Sequence, residues 1–290
     1  MLYTLKNDYI TITADTFGAE LHSIKGNEIE YLWQCGPSWK RYAPILFPFI
    51  CSPTGKKYSA KGKEYTMPSN HGFARDSEFE VLKQTDNSIS FVLKSNEKTL
   101  SVYPYNFEFI VSYTINKNQV IVSNIVKNTD NDKMYFYVGG HPAFNCPIEK
   151  DLDFSDYYVE YDKKENIIQS LPDNKKRTIL DNENILPISR ELFAFDVIMK
   201  DSPASDNITL KSNKGSRSVT VSFPESNCIA VWSPTGDDNA AFVCLEPWTS
   251  VPTYADDDNF DIENKKHAIE LESGKEFDYK YSIIINWGEN

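Results

Sequence analysis

"FEFIVSYTINKNQVIVSNIVK", residues 107–127, decides the fold class. Two runs rich in β-branched and aromatic residues, 107–115 and 119–127, flank a polar Asn-Lys-Asn, which reads as two strands joined by a hairpin turn. In "VIVSNIV" the apolar residues first fall at every second position, the period of a strand with one covered face. Similar runs recur at "YITIT" (9–13), "SVTVSF" (218–223), "CIAVW" (228–232) and "FDYKYSIIINW" (277–287). Helical periodicity is almost absent, and "SRELFAF" (189–195) is the best candidate for a short helix. The polar stretch 163–185, "KKENIIQSLPDNKKRTILDNENI", is the weakest part of the sheet pattern and reads as a long excursion. Many strands with few short helices predict an all-β protein, a large antiparallel β-sandwich. No internal repeat and no flexible linker divides the sequence, so residues 1–290 read as a single domain.

A hydrophobic fraction of 40% and a charged fraction of 25% are those of an ordinary globular protein with ample material for a core. The net charge of −12, with no dense Lys/Arg cluster, argues against nucleic acid and against an anionic membrane surface as partners. The start, "MLYTLKNDYITIT", has no basic-then-apolar leader pattern. Five cysteines without any C-x-x-C pair fit reduced thiols, so a cytoplasmic location is expected. Cys228 and Cys244 lie in apolar runs and are expected in the core.

Four histidines can be weighed one by one. His22 reads as outward-facing on a strand and His267 as exposed beside two lysines. His71, in "MPSNHGFARD", sits in a loop between Asn and Gly, and His141, in "YVGGHPAFN", stands where the strand "KMYFYV" runs out between two glycines and a proline. Loops on rigid scaffolds carry binding residues, and the competing reading is that each imidazole only caps its loop with a hydrogen bond. Glu246, in "FVCLEPWTSVP", ends an apolar strand, where a carboxylate is costly unless paired or functional. It reads either as a base whose pKa burial raises or as one half of an ion pair.

Arg41, in "WKRYAPILFPF", reads as a ligand for hydroxyls or phosphate, or as a surface arginine. Trp232 and Trp248 offer flat faces that suit sugar rings and suit a core as well. "YADDDNFDIEN" (254–264) lacks the glycine of a calcium loop and reads as a solvated loop. The histidine spacings give no zinc motif, Cys146 near His141 in sequence is no evidence for a Cys–His nucleophile, and no Gly-rich phosphate loop appears.

In their order, "GAELHSI", "KRYAPILFP", "NHGFAR", "GGHPAFN" and "CLEPWTSVP" resemble the aldose 1-epimerase (mutarotase) family, in the branch named after LacX, from about residue 8 to the C-terminal strand. The resemblance implies a galactose mutarotase-like supersandwich with an open sugar groove. It also implies acid–base interconversion of the anomers of an aldohexose, with no metal and no cofactor. Carried over, Glu246 is the general base at the C1 hydroxyl, and His141 is the general acid at the ring oxygen, on the opposite side of the sugar. His71 then polarises that oxygen, Arg41 orients the sugar, and Asp196, in "LFAFDVIMK", grips a hydroxyl. The "HGFAR" pattern departs from the galactose-type members and occurs in the hexose-6-phosphate epimerase branch. Arg75 thus either meets a phosphate or braces its loop against an acidic neighbour. The alternatives are a hexose-6-phosphate 1-epimerase and a non-catalytic sugar sensor. A glycoside hydrolase pairing Asp196 with Glu246 would leave two histidines without a role.

Overall fold

In a computed structural model, residues 1–252 and 261–288 are described. The hairpin read at 107–127 forms as the strands Phe107–Asn116 and Gln119–Asn128, paired antiparallel with Asn116 opposite Gln119 and Phe107 opposite Asn128. Along the second strand burial alternates without a break, and Val120, Val122, Asn124, Val126 and Asn128 face inward. That period places the pair inside a sheet with one covered face.

This sheet has nine strands. From one edge to the other they are Lys176–Pro187, Tyr157–Ser170, Asn207–Ser212, Ser218–Ser222, Glu276–Asn286, Gln119–Asn128, Phe107–Asn116, Ser88–Lys94 and Glu80–Gln84. Every pairing is antiparallel. Stretch 163–185 is therefore no excursion from the sheet. It is a hairpin of two strands at the sheet's edge, turned by residues 171–175.

A second sheet lies against the inner face of the first. Its order is Ile198–Asp201, Cys228–Trp232, Phe242–Trp248, Gly139–Gly140 and Ile45–Leu46, with Ala143–Asn145 also paired to Phe242–Trp248. The Phe47 ring stacks on Phe109 of the large sheet at 4.5 Å between centroids. Gly140 lies so close to Tyr281 that a Cβ there would sit 2.4 Å from the phenol oxygen. One continuous buried cluster runs from Leu5 to Ile285 through both sheets, so apolar burial between them is the main stabilising term. A third sheet, of four strands, carries residues 2–30, and its Ala19 carbonyl accepts a hydrogen bond from Tyr113 of the large sheet.

Two local readings change. "SRELFAF" yields a 3-10 turn at Glu191–Phe193 rather than a helix. The α-helix among the described residues is Glu97–Leu100, started by a capping box between Asn96 and Thr99. Cys228 and Cys244 are buried as expected. No helix among the described residues is long and apolar enough to cross a membrane. Most of the acidic stretch 254–264 lies outside the described residues.

Candidate active site

The glycines before His141 explain its position. Gly139 pairs with both Trp248 and Leu46, and Gly140 with Ile45, so the short strand lies flat in the middle of the smaller sheet. A Cβ at Gly139 would come 2.8 Å from the Trp248 ring, so side chains are excluded on both glycines. His141 follows at once. Its amide donates to the Pro44 carbonyl (3.0 Å), and the Pro142 carbonyl accepts from Leu245 N–H (3.2 Å), which ties the loop to the neighbouring strand.

Glu246 stands on that strand, opposite Ala230. It is not at the strand's end as the sequence suggested. The strand continues through Pro247 to Trp248, and every residue of it is buried. Glu246 is 1% exposed, and its Oε2 is 3.0 Å from His141 Nε2. The acid and base assigned to opposite sides of a sugar thus stand side by side on one wall.

His71 meets them from a loop. Its ring is edge-on to His141 with centroids 5.3 Å apart, and its Nδ1 accepts the Cys51 N–H at 2.9 Å. Nδ1 is therefore unprotonated in the neutral ring, the proton sits on Nε2, and His71 is a donor. Its backbone is left-handed (φ 62°), uncommon for a residue with a Cβ. The next residue must be glycine, because a Cβ at Gly72 would fall 2.2 Å from the Phe47 carbonyl oxygen.

These groups open on a cavity of about 290 Å³, at the small end for ligand pockets. His71, Arg75, His141, Asp196, Trp232 and Glu246 all line it. Trp232 donates its indole N–H to Asp196 at 2.8 Å. Arg41 lies elsewhere: it donates to Asp76 (2.5 Å) and to the Arg75 carbonyl (3.0 Å). Arg75 is the arginine that faces the cavity. Its Nε is 4.0 Å from Asp76 and makes no hydrogen bond among the described residues. Asp76 thus pairs with both arginines, closely with Arg41 and at 4.0 Å with Arg75, so the loop-bracing ion pair read for Arg75 is present and Arg41 strengthens it.

Sequence reasoning passed over Trp39, Cys51 and Asn70, which also line the cavity. Trp39 stacks on His141 at 4.9 Å. Its signal was available in "SWKRYAP", an aromatic two residues before Arg41. The other two histidines sit outside the site, though neither is as exposed as expected. His22 stacks on Tyr42 at 4.0 Å and is half-buried, and His267 pairs with Asp201 at 3.1 Å.

Burial dominates the electrostatics. It pushes the Glu246 carboxyl well above the usual carboxylate range, helped by the charge of Asp196 and opposed by the Trp248 side chain. It pushes the His141 imidazole down to about 3, with the Arg75 charge acting in the same sense. His71 is held well below its ordinary value by burial and by His141 and Arg75. Glu246 Oε2 and His141 Nε2 thus lie 3.0 Å apart without the alignment of a hydrogen bond, and burial favours the neutral form of each. Such a pair can take a proton from one oxygen and deliver one to another nearby.

His141, Cys244 and Glu246 bring a nitrogen, a sulfur and an oxygen within 4.8 Å of one another. Burial pushes the Cys244 thiol up, so it keeps its proton, and Cys244 packs in an apolar cluster with Ala143, Ala240 and Phe242 instead of lining the cavity.

Residues 1–284 match the sequence model of the family described as aldose 1-epimerase. The chain is 34% identical over 287 residues to the plasmid-encoded protein LacX of Lactococcus lactis subsp. lactis, covering 93% of this chain and 95% of that one. A galactose mutarotase related enzyme from Lactobacillus acidophilus is 32% identical and superposes with a TM-score of 0.93, covering 100% of this chain and 99% of that one. A galactose mutarotase-like protein from Lactobacillus casei is 27% identical with a TM-score of 0.90, covering 99% and 100%.

Proposed function

The chain belongs to the aldose 1-epimerase family, and we propose that it interconverts the α and β anomers of a free aldohexose by acid–base ring opening and closure. The observation that carries this reading is the His141–Glu246 pair, 3.0 Å apart on one wall of a cavity of monosaccharide size. In a hemiacetal the C1 hydroxyl and the ring oxygen are both bonded to C1. Two adjacent groups on one wall can therefore reach both atoms.

In the reactive form His141 carries a proton and Glu246 is a carboxylate. Glu246 takes the proton of the C1 hydroxyl, the electron pair of that O–H bond becomes the C1=O π bond, and the C1–O5 bond breaks. The ring oxygen takes the proton from His141, and His71 Nε2–H donates a hydrogen bond to the same oxygen. The open-chain aldehyde then sits beside a protonated Glu246 and a neutral His141, the protonation state that burial favours. Rotation about C1–C2 and the reverse transfers give the other anomer. Arg75 and Asp196 bind sugar hydroxyls, and Trp232 and Trp39 cover the ring's apolar face.

A 6-phosphate is the second reading, and it rests on Arg75, which lines the cavity with an Nε that makes no hydrogen bond among the described residues. Against it stand two carboxyl side chains, Asp196 and Glu246, in the same cavity, and the engagement of Arg41 with Asp76. Anomer exchange by NMR exchange spectroscopy at neutral pH tests both, using glucose, galactose and their 6-phosphates. Wild type is expected to accelerate a free hexose, and Glu246→Gln and His141→Ala each to lose about 10²–10⁴-fold. A wild type that binds sugar yet leaves the spontaneous rate unchanged would be a sugar-binding protein and no epimerase.

A further inference from the structure

The edge hairpin reaches the site through two side chains that face each other across its strands, Gln169 and Arg177. Beyond the bulge after Glu160, burial in Tyr157–Ser170 alternates again, with Glu165, Ile167 and Gln169 on the inner side. That side covers the chain segment 191–205. Glu165 accepts from Ser205 N–H at 2.8 Å, and Arg177 donates to the carbonyls of Glu191 and Leu192, each at 3.2 Å. Gln169, 8% exposed, donates its side-chain amide to the carbonyls of Phe195 (3.1 Å) and Val197 (3.0 Å). Both partners are acceptors, so the group turned toward them must be the NH₂.

Those carbonyls flank Asp196, whose backbone is left-handed (φ 71°). Aspartate enters that region more readily than most residues, and here bonds to both flanking carbonyls fix where it does so. The same aspartate accepts the Trp232 indole N–H and lines the cavity. From these contacts we infer that Gln169 is a positioning residue. Its amide fixes Asp196 and, through it, the Trp232 indole, so that a hairpin outside the cavity sets how tightly the site holds its sugar. Arg177 fixes the approach to the same residue from the 3-10 turn. The consequence for the sugar rests on the function proposed above; the geometric part does not.

The test reads the two parts separately. In the free protein, the Trp232 indole N–H resonance, assigned with Trp232→Phe, is followed in wild type and Gln169→Leu. The expected result is a shifted Trp232 signal exchanging with solvent roughly ten-fold faster, while the Trp33 indole, bonded to the Trp39 carbonyl, stays in place. An unchanged Trp232 signal would overturn the inference, and so would indole signals that all move together, since that reports general loosening. Arg177→Met, on the opposite strand, is expected to move the same signal less.

In anomer exchange, Gln169→Leu is expected to raise KM about ten-fold with kcat within two-fold of wild type. In an Asp196→Ala background it should add less than two-fold, because its effect passes through Asp196. Full multiplication of the two effects would overturn the link to Asp196. A wild type without activity would remove the proposed function and leave the indole result to decide the positioning.

Discussion

Replacing Gly72 by alanine tests whether the loop that carries His71 is held by backbone crowding. Gly72 has φ +76°, and an added Cβ would lie 2.2 Å from the Phe47 oxygen, 2.5 Å from its carbonyl carbon and 2.6 Å from Pro48 Cδ. Two of those atoms are backbone and none can swing aside. Gly62 supplies the control: its φ is +71°, and a Cβ there meets nothing within 4 Å. Gly62→Ala therefore isolates the left-handed backbone cost, about 1–2 kcal/mol. Gly72→Ala adds the steric overlap, about 1–3 kcal/mol more, for about 2–5 kcal/mol in all. For a chain of 290 residues, unfolding entropy makes one kcal/mol worth roughly 1.6 °C. The expected falls in Tm are about 2–3 °C for Gly62→Ala and about 3–8 °C for Gly72→Ala. The overlap is relieved by moving His71, because Phe47 N–H donates to the His71 carbonyl, and Phe73 and Ala74 donate to the Phe47 carbonyl. A displacement near 1 Å costs about 100-fold in rate. Thermal and urea melts beside anomer exchange read both effects. Equal melting of the two variants, with activity intact, would refute the crowding argument.

Two further outcomes follow from the site. Arg75→Met is expected to raise KM by about 10–150-fold, the worth of a charge-assisted hydrogen bond, with Tm unchanged, whereas Arg41→Met is expected to lower Tm by roughly 2 °C and leave KM nearer wild type; the reverse pattern would show that Arg41 is the sugar ligand. His141 and Glu246 pull stability in opposite directions as pH falls. The folded state keeps His141 neutral down to about 3, so its contribution is present above pH 6.5 and is lost as pH drops from there. Glu246, raised in the folded state, gains stability over the same descent. Glu246→Gln removes that gain, so as pH falls below 6.5 the variant should lose more stability than wild type in urea melts, and parallel curves would show that Glu246 is ionised at rest.

What could be read from the sequence was whatever is written in a short period. Gln119–Asn128 alternates over its whole length, so its strand and hairpin were legible, as was Cys228–Trp232. The hairpin over 163–185 was misread because its inner positions include Glu165 and Gln169, polar residues that bond to backbone and so hide the alternation. Six candidate site residues converge on the cavity: His71 beside Gly72, His141 between Gly140 and Pro142, Trp232 and Glu246 within strands, Arg75 in a 3-10 turn and Asp196 between a 3-10 turn and a strand. That Arg75 and not Arg41 lines the cavity was not legible, since it depends on how two arginines 34 residues apart share Asp76. Trp39 was missed for a related reason: no strand surrounds it, and only the folded chain lays it on His141.

The site divides into a rigid part and a strained part. His141 and Glu246 belong to the smaller sheet, joined to each other through the Pro142–Leu245 hydrogen bond and backed by buried strands. Around them Cys51, His71 and Asp196 line the same cavity with φ of 53°, 62° and 71°. Each such conformation costs of order 1–3 kcal/mol and persists only when neighbours over-determine it. Here the neighbours can be named. Cys51 and His71 bond reciprocally, the Cys51 carbonyl accepting from His71 N–H and the Cys51 N–H donating to Nδ1. Asp196 is held between the two carbonyls that Gln169 grips. The Cys51–His71 exchange also selects the tautomer, because an occupied Nδ1 leaves the proton on Nε2, facing the cavity. Backbone strain and proton placement at His71 thus have one cause, and neither is a property of the histidine alone.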